Sequence, residues 1–292
     1  MQSKKIGWIL LAPSLIILFL FGVLPFIYVV FVSFHQWNPF GANPDRIFNG
    51  AENFRRLVFD ERFLASVGAT AAFVFFAVLT QLILGYALAQ AFMKEFPGKT
   101  FFRTIHTLPL IMAPIIVGSV WKLMTTPSLG IIPHLLESWF GFDLNIGNSA
   151  LAAFTVTVIM DVWHWTPLVT LTMIAALVSL PPDPFEQAQI DGAGKWQTFW
   201  HITLPMIAPA VLATVFIRLM DALRTVDEVL MLTGGGPGSA TRFVGVHIFK
   251  EVFPRTNYGY GSAISVIVLY LTIVICWALY TGMLAPRKTR KG

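Results

Sequence analysis

Long apolar stretches alternate with polar segments along the whole chain. A helix needs about 20 apolar residues to cross the hydrocarbon core of a bilayer, with some latitude when it tilts. Six stretches come close to that length, so the pattern predicts an all-α membrane protein with six transmembrane helices. The predicted spans are residues 7–34, 65–92, 105–121, 151–178, 206–223 and 261–285.

Two of these spans are short or interrupted by proline. Pro109 and Pro114 fall in the third, and Pro205 and Pro209 stand at the start of the fifth. A membrane helix tolerates proline where neighbouring helices or water recapture the freed carbonyl. A plain kink is the commoner outcome, but broken spans also mark transport pathways.

Composition supports the membrane class. The chain is 56% hydrophobic and 12% charged, whereas soluble domains carry roughly 25% charged residues. The charged start at Lys4 and Lys5 resembles a signal peptide, but the apolar run is too long and lacks a small-residue cleavage site, which predicts a retained span. The single cysteine, Cys276, excludes an internal disulfide and a cysteine metal cluster.

Lysine and arginine predict the orientation. With six spans, both termini share one side with the second and fourth connecting loops. That side carries ten Lys and Arg residues, against nine on the opposite side, which is about twice as long. Cytoplasmic segments carry the denser positive charge, so both termini are predicted to be cytoplasmic. The cytoplasmic segments are 1–6, 93–104, 179–205 and 286–292, and the external segments are 35–64, 122–150 and 221–260. No segment is long enough for a second domain, so residues 1–292 are predicted to form one transmembrane domain.

The loop at 181–205 carries the signals of a helix start and stop. Asp183 is a favourable N-cap residue, and Pro184 suits the first helical position. Glu186 follows Asp183 by three residues, the spacing of a capping box. Gly192 permits the positive-φ turn that ends such a helix.

The expected structure of this loop is a helix–turn–helix at the membrane face. The first helix should end near Ile190, the second should run from residue 193 or 194 to 201, and Leu204-Pro205 should begin the fifth span. This helix–turn–helix is too apolar to be a free cytoplasmic loop. It either rests on the bilayer as an amphipathic connector or docks into a cleft on a partner. The apolar side chains available for either role are Phe185, Ile190, Trp196, Phe199 and Trp200.

The same loop resembles the signature of binding-protein-dependent ABC importer permeases. The matching residues are Glu186-Gln187-Ala188, Asp191-Gly192-Ala193 and Ile202-x-Leu204-Pro205, with Gln187 in place of the usual first alanine. Other segments resemble the carbohydrate importers of the maltose-transporter type, and the glycine-rich loop resembles their larger permease subunit. These segments are 7–38, Leu108-Pro109 with Trp121, Trp163–Pro167, Leu232–Gly238 and Tyr258–Ala263.

The resemblance implies a multi-pass subunit of an ATP-driven sugar importer in the bacterial inner membrane. Its partners would be a second homologous permease, two ATP-binding subunits, an extracytoplasmic solute-binding protein and membrane lipid, with no nucleic acid. The chain would bind no cofactor itself, and ATP and Mg would be used by the partner subunits. The helix–turn–helix would be a coupling helix whose contacts with the ATPase come from Glu186, Ala188, Asp191, Gly192 and Ala193.

ATP binding by this chain is not expected. Gly194-Lys195 begins to match a phosphate loop, but Gln189 stands where the motif needs glycine and Trp196 where it needs serine or threonine. No metal-binding spacing and no nucleophile elbow are present. The sequence therefore predicts neither a catalytic nor a metal site, which leaves a membrane enzyme as a weak alternative.

Candidate substrate contacts lie inside the predicted spans. Ionisable groups in a membrane are costly and usually face a cavity or a partner, and sugars are bound by polar groups together with aromatic faces. A structural Asp–His pair and a simple Arg–Asp pair are the plainer interpretations. The pathway candidates are Asp161, Trp163, His164, Trp165, Arg218 and Asp221.

The glycine-rich loop on the predicted external side is the remaining candidate. It is either a flexible turn or, by the resemblance, a loop that faces the solute-binding protein. For the whole chain, the alternatives to a sugar importer are an ABC importer for a polyol, glycerol phosphate or another small solute, and an autonomous secondary carrier. The residues of the binding-protein-facing loop are Gly234, Gly235, Gly236, Pro237 and Gly238.

Overall fold

The computed structural model describes residues 2–284, and helices form most of it. The mainly helical class is therefore confirmed, with one unpredicted feature, a two-stranded antiparallel pair of β1 (His35–Gln36) and β2 (Ile47–Phe48). The α-helices are α1 (Gln2–Leu18), α2 (Leu24–Ser33), α3 (Glu52–Val58), α4 (Glu61–Met93), α5 (Lys99–Thr107), α6 (Pro114–Thr125), α7 (Ile131–Phe140), α8 (Ala150–Val178), α9 (Asp183–Ile190), α10 (Lys195–Thr198), α11 (Leu204–Ala222), α12 (Asp227–Leu232), α13 (Val244–Val252) and α14 (Tyr258–Leu284).

Five helical segments in the described chain are long and apolar enough to cross a membrane, and a bent pair makes a sixth if it is one span. Each of the six predicted spans overlaps one of these candidates. The end of the last predicted span at 285 and the basic tail at 287–291 lie outside the described residues. The candidates are Leu10–Ser33, Glu61–Met93, the pair Lys99–Ile111 with Pro114–Thr125, Ala150–Val178, Lys195–Ala222 and Tyr258–Thr281.

The third segment is broken, which is the less common of the two outcomes that its prolines left open. A 3₁₀ turn at Leu108–Ile111 follows α5, the backbone becomes extended at Met112 and Ala113, and Pro114 opens α6. The chain direction bends by 106° between the two helical parts. The residue before a proline avoids the helical region, so the break falls at Ala113.

The helix α11 begins at Leu204, where the fifth span was predicted to start, but it continues an earlier helix without a break. A π-helical turn at Phe199–Thr203 joins α10 to α11, so one helix runs from Lys195 through Ala222. Pro205 has no N–H to donate to the preceding turn, and the wider π turn ends immediately before it. The second helix of the loop therefore runs directly into α11, and the start of the fifth span at Leu204-Pro205 stays a prediction.

The chain divides into two compact units. One contains residues 2–64 and 247–277, and the other contains 65–246 and 278–284. In the first unit, Asn53 donates from Nδ2 to the carbonyls of Ser33 and His35, both at 2.9 Å, and so ties α3 to the end of α2. The single domain over 1–292 stays a prediction.

The second unit holds three apolar clusters. Phe73 stacks on Phe243 at 4.4 Å between ring centroids in the first of them. Val117 and Met160 belong to the second, and Val169 belongs to the third. These clusters pack α4, α6, α8 and α11 against one another and fix the polar side chains that these helices carry.

Candidate functional site: the coupling loop and a buried polar network

The predicted stop at Gly192 is confirmed. Gly192 has a φ of +73°, which L-residues with a Cβ rarely adopt. Its N–H donates to the Gln189 carbonyl at 3.1 Å, and the Ala193 N–H donates to the Ala188 carbonyl at 2.9 Å. These two bonds form a Schellman motif, which satisfies the last carbonyls of α9.

The predicted capping box at the start of α9 does not form. The helix already includes Asp183, Pro182 before it has helical backbone angles, and no side chain caps this end. Proline's fixed φ suits a helix start, so the helix begins one residue early and Asp183 loses the cap position. A glutamine instead caps the next helix, where Gln197 Oε1 accepts from the Gly194 N–H at 2.9 Å.

The five residues predicted to contact the ATPase differ in how exposed they are. Glu186, Asp191 and Gly192 are exposed, Ala193 is half-buried, and Ala188 is buried. Within the described chain, the Glu186 carboxylate has no side-chain partner. The capping role that competed with docking for Glu186 is thereby removed.

Apolar side chains surround these acidic residues. Ile190 is 85% exposed and Trp196 is 72% exposed, whereas Phe199 contacts Tyr86 at 5.1 Å between ring centroids and so anchors the loop to α4. The exposed face therefore combines two carboxylates with a free isoleucine. A cavity of about 480 Å³ opens beside it, lined by Asp191, Gly192, Ala193, Gln197, Thr198, His201 and Ile202.

Arg218 is the centre of a buried polar network in the second unit. Its Nη2 donates to Asp161 Oδ2 at 2.8 Å, and its Nε donates to Gln81 Oε1 at 2.8 Å. Gln81 donates in turn to Asp161 Oδ2 at 2.7 Å. All three side chains are fully buried, so the ion pair and the amide hold α4, α8 and α11 together.

The network extends toward a more open region. Arg218 Nη1 donates to Asp221 Oδ2 at 2.7 Å, and the guanidinium lies 4.6 Å from the centroid of the Trp165 ring. Asp221 and Trp165 are half-buried. Both face a cavity of about 300 Å³ that is lined by Pro114, Trp165, Asp221, Arg224, Thr225, Val226, Asp227 and Glu228.

The structure does not form the Asp–His pair that the sequence left open. His164 binds Glu228 instead, with Nδ1 2.7 Å from Oε1, and its Nε2 lies 3.3 Å from the Met112 carbonyl. His164 thus connects α8 and α12 to the break between α5 and α6.

Two of the groups that carry this network were missed in the sequence. Gln81 stands in the middle of a predicted span, where a buried amide is costly without partners, and that position was its signal. Glu228 lies in a predicted external loop, where a glutamate is ordinary, so the sequence gave no signal of its role. Trp163, predicted beside these residues, contacts Trp121 at 6.0 Å and is 41% exposed, away from the network.

Gly118 on α6 allows the backbone of Glu228 to lie close to that helix. A Cβ at Gly118 would lie 2.4 Å from the Glu228 carbonyl oxygen, so α6 and α12 approach each other as closely as glycine allows. The broken third segment is therefore packed directly on the backbone of Glu228, the residue whose carboxylate His164 binds.

The glycine-rich loop is a hydrogen-bonded turn. The hydroxyls of Thr233 and Thr241 are 2.6 Å apart, and Thr241 donates to the Gly236 carbonyl at 2.9 Å. Gly235 is buried, and Gly238 is exposed. Among the described residues, no group of three or more His, Cys, Asp or Glu side chains is placed to hold a metal ion.

Comparison with known proteins gives consistent matches. Residues 81–290 match the family described as binding-protein-dependent transport system inner membrane component. The chain is 33% identical over 272 residues to the trehalose/maltose transport system permease protein MalF of Thermococcus litoralis, covering 93% of this chain and 91% of that protein. It is 31% identical over 269 residues to the probable starch degradation products transport system permease protein AmyD of Thermoanaerobacterium thermosulfurigenes, covering 92% and 90%.

The fold matches a solved transporter. A chain of a bacterial ABC transporter involved in the import of the acidic polysaccharide alginate superposes with a TM-score of 0.81 at 21% identity, covering 98% of this chain and 99% of that one. The same transporter in complex with a periplasmic protein bound to an alginate pentasaccharide gives 0.82 at 20% identity, covering 99% and 97%. At this identity the likeness concerns the fold alone.

Proposed function

The chain belongs to the family of binding-protein-dependent transport system inner membrane components, and we propose that it is the transmembrane subunit of an ATP-driven sugar importer. The observation that carries the sugar assignment is the match over nearly the whole chain to a trehalose/maltose permease. As a permease, the chain forms half of the translocation pathway, and separate subunits hydrolyse ATP.

The topology we propose has six spans with both termini in the cytoplasm. The bent pair of Lys99–Ile111 and Pro114–Thr125 counts as one broken span. The higher density of lysine and arginine over segments 1–6, 93–104, 179–205 and 286–292, taken together, supports a cytoplasmic position for α9. In that orientation, the turn at 233–241 faces outward, where Gly234, Gly235, Gly236, Pro237 and Gly238 form the loop nearest the solute-binding protein.

The proposed partners follow from this arrangement. They are a second permease chain, two ATP-binding subunits that use ATP and Mg, and an extracytoplasmic solute-binding protein. The coupling contact is the exposed face of α9 and its turn. Glu186 and Asp191 present unpaired carboxylates there, which suit basic residues on an ATPase, while buried Ala188 and half-buried Ala193 hold α9 against the loop.

The proposed sugar contact is the cavity beside Trp165. An indole face and carboxylate acceptors are the groups that bind a pyranose ring and its hydroxyls, and Trp165, Asp221 and Asp227 supply them. Asp161, His164 and Arg218 are buried behind this surface and position it, whereas Trp163 stands apart beside Trp121.

The charge of this cavity separates the alternative solutes. It is lined by three carboxylates and one arginine, Arg224. An anion such as glycerol phosphate would meet repulsion there, whereas a neutral polyol would meet the same acceptors as a sugar. A polyol is therefore the second candidate that the geometry favours.

Substitution of the indole tests the sugar contact. Trp165→Ala should raise the sugar concentration for half-maximal uptake by about tenfold, because an aromatic contact in a binding site contributes on the order of 1 kcal/mol. The measurement is uptake into proteoliposomes that hold the complete transporter. Trp139→Ala, at a 73% exposed site away from the cavity, is the matched control. Equal concentration dependence in Trp165→Ala and the wild type would remove this site from the pathway.

A further inference from the structure

A second charged cavity lies in the first unit, far in sequence from the coupling loop and the Trp165 cavity. It measures about 630 Å³, and its walls come from α3, the first turn of α4 and the residues around the end of α13. Four arginines line it, namely Arg55, Arg56, Arg62 and Arg255. We propose that this arginine pocket binds the phosphodiester headgroup of an anionic membrane phospholipid.

The acidic side chains of the pocket are already engaged. Asp60 accepts from the Tyr260 hydroxyl at 2.5 Å and from the backbone N–H groups of Arg62 at 2.9 Å and Phe63 at 3.3 Å. Burial alone would raise the pKa of Asp60, but these three donors, together with nearby His247, lower it below its ordinary value. Asp60 therefore stays an ionised structural group.

Glu251 and Glu52 are each matched by one arginine. Glu251 is buried and pairs with Arg255, and Glu52 lies 4.0 Å from Arg55 in an exposed pair. Exposed pairs of this kind are weak, so Arg55 remains available to a ligand. With three acids and four arginines, the pocket carries one excess positive charge, which equals the charge of one phosphodiester in magnitude.

Two arginines have no anionic partner in the described part of the chain. Arg56 lies over the Tyr260 ring, 4.5 Å from its centroid, and no carboxylate pairs with Arg56 or Arg62 there. Both are exposed. Guanidinium groups bind phosphate through two parallel N–H donors, so these two side chains provide the recognition.

The position of the pocket favours lipid over an acidic protein surface. Arg62 lies in the first turn of the candidate span Glu61–Met93, and Arg255 lies just before the candidate span Tyr258–Thr281. The pocket therefore lies at headgroup depth, where basic side chains meet lipid phosphates. Phe59 and Val58 beside it are 76% and 61% exposed, as expected for side chains that reach the acyl region.

The test uses the purified full-length chain in detergent, with lipid retention followed by native mass spectrometry. Phosphatidylglycerol should bind Arg56→Gln/Arg62→Gln about tenfold more weakly than the wild type. Lys99→Gln/Arg103→Gln removes the same charge from a different cavity and should leave the tightest binding unchanged. Arg62→Gln alone should bind phosphatidylglycerol several-fold more weakly than the wild type. Its unfolding temperature should be unaltered, because no described side-chain contact is broken.

Three results would overturn the proposal. The first is equal phosphatidylglycerol retention by the wild type and the double variant. The second is displacement of the lipid by millimolar inorganic phosphate, which would make the pocket a general anion site. The third is unchanged lipid retention together with lost assembly of the transporter, which would assign the arginines to an acidic partner protein. Weaker retention of phosphatidylcholine than of phosphatidylglycerol by the wild type supports it.

Discussion

Arg218→Met should destabilise the protein by about 3–5 kcal/mol, because it leaves the buried Asp161 carboxylate without its ion-pair partner. Arg218 is fully buried and is the only cation within 4.0 Å of Asp161 in the described chain. Methionine fills similar volume, so the loss reports charge rather than packing. The expected readouts are a lower unfolding temperature in detergent and less folded protein in the membrane.

Two further variants test the electrostatic cause. Asp161→Asn in the Arg218→Met background should recover part of the loss, since it removes the unpaired charge. Arg224→Met, at an exposed arginine just after the end of α11, should change stability by less than about 0.5 kcal/mol. If Arg218→Met is as stable as the wild type, or if Asp161→Asn lowers its stability further, the ion pair does not hold these helices together.

Glu186→Ala should abolish most sugar uptake while the protein still inserts and folds. The Glu186 carboxylate is exposed and forms no bond within the described chain, so its loss should leave α9 intact and remove only the proposed contact with the ATPase. Asp191→Ala should act in the same way. In the reconstituted transporter, ATP hydrolysis should no longer respond to the sugar-loaded binding protein.

The matched control is Gln189→Ala, an exposed position on the same helix outside the signature residues. Gly192→Ala provides a contrast, because a Cβ there meets no atom within 4 Å and the change adds only left-handed backbone strain, about 1–2 kcal/mol. If Gly192→Ala loses coupling between ATP hydrolysis and uptake, the cause should be deformation of the turn. Normal stimulated hydrolysis and uptake in Glu186→Ala and Asp191→Ala would exclude the docking role.

Apolar length predicted the helices well because hydropathy over 20 residues is a strong signal. The two prolines at helix boundaries had different effects on the backbone. Pro114 follows Ala113, and the restriction on the residue before a proline explains the break there, although the sequence had left a plain kink open. Pro205 follows a π turn that preserves the helix, and no residue pattern distinguishes that outcome from a start.

The coupling loop was predictable in its stop but not in its start. Gly192 indicates a left-handed turn because few other residues adopt that conformation. At the other end, Asp183 and Pro182 are both suited to begin the helix, and the sequence does not decide between them. The buried network required tertiary information. Asp161 and His164 are one turn apart on α8, yet each pairs with a residue more than fifty positions away, Arg218 and Glu228.

Uptake of labelled sugar into proteoliposomes shows whether this chain imports sugar only as part of an ATP-driven complex. Vesicles should contain this chain, a second permease and the ATP-binding subunits, with solute-binding protein outside. We expect uptake only when ATP and Mg are inside and the sugar-loaded binding protein is outside, and none when any component is omitted. Uptake by vesicles that contain the purified chain alone, without ATP, would show that the protein is an autonomous carrier and not a subunit of an ATP-driven importer.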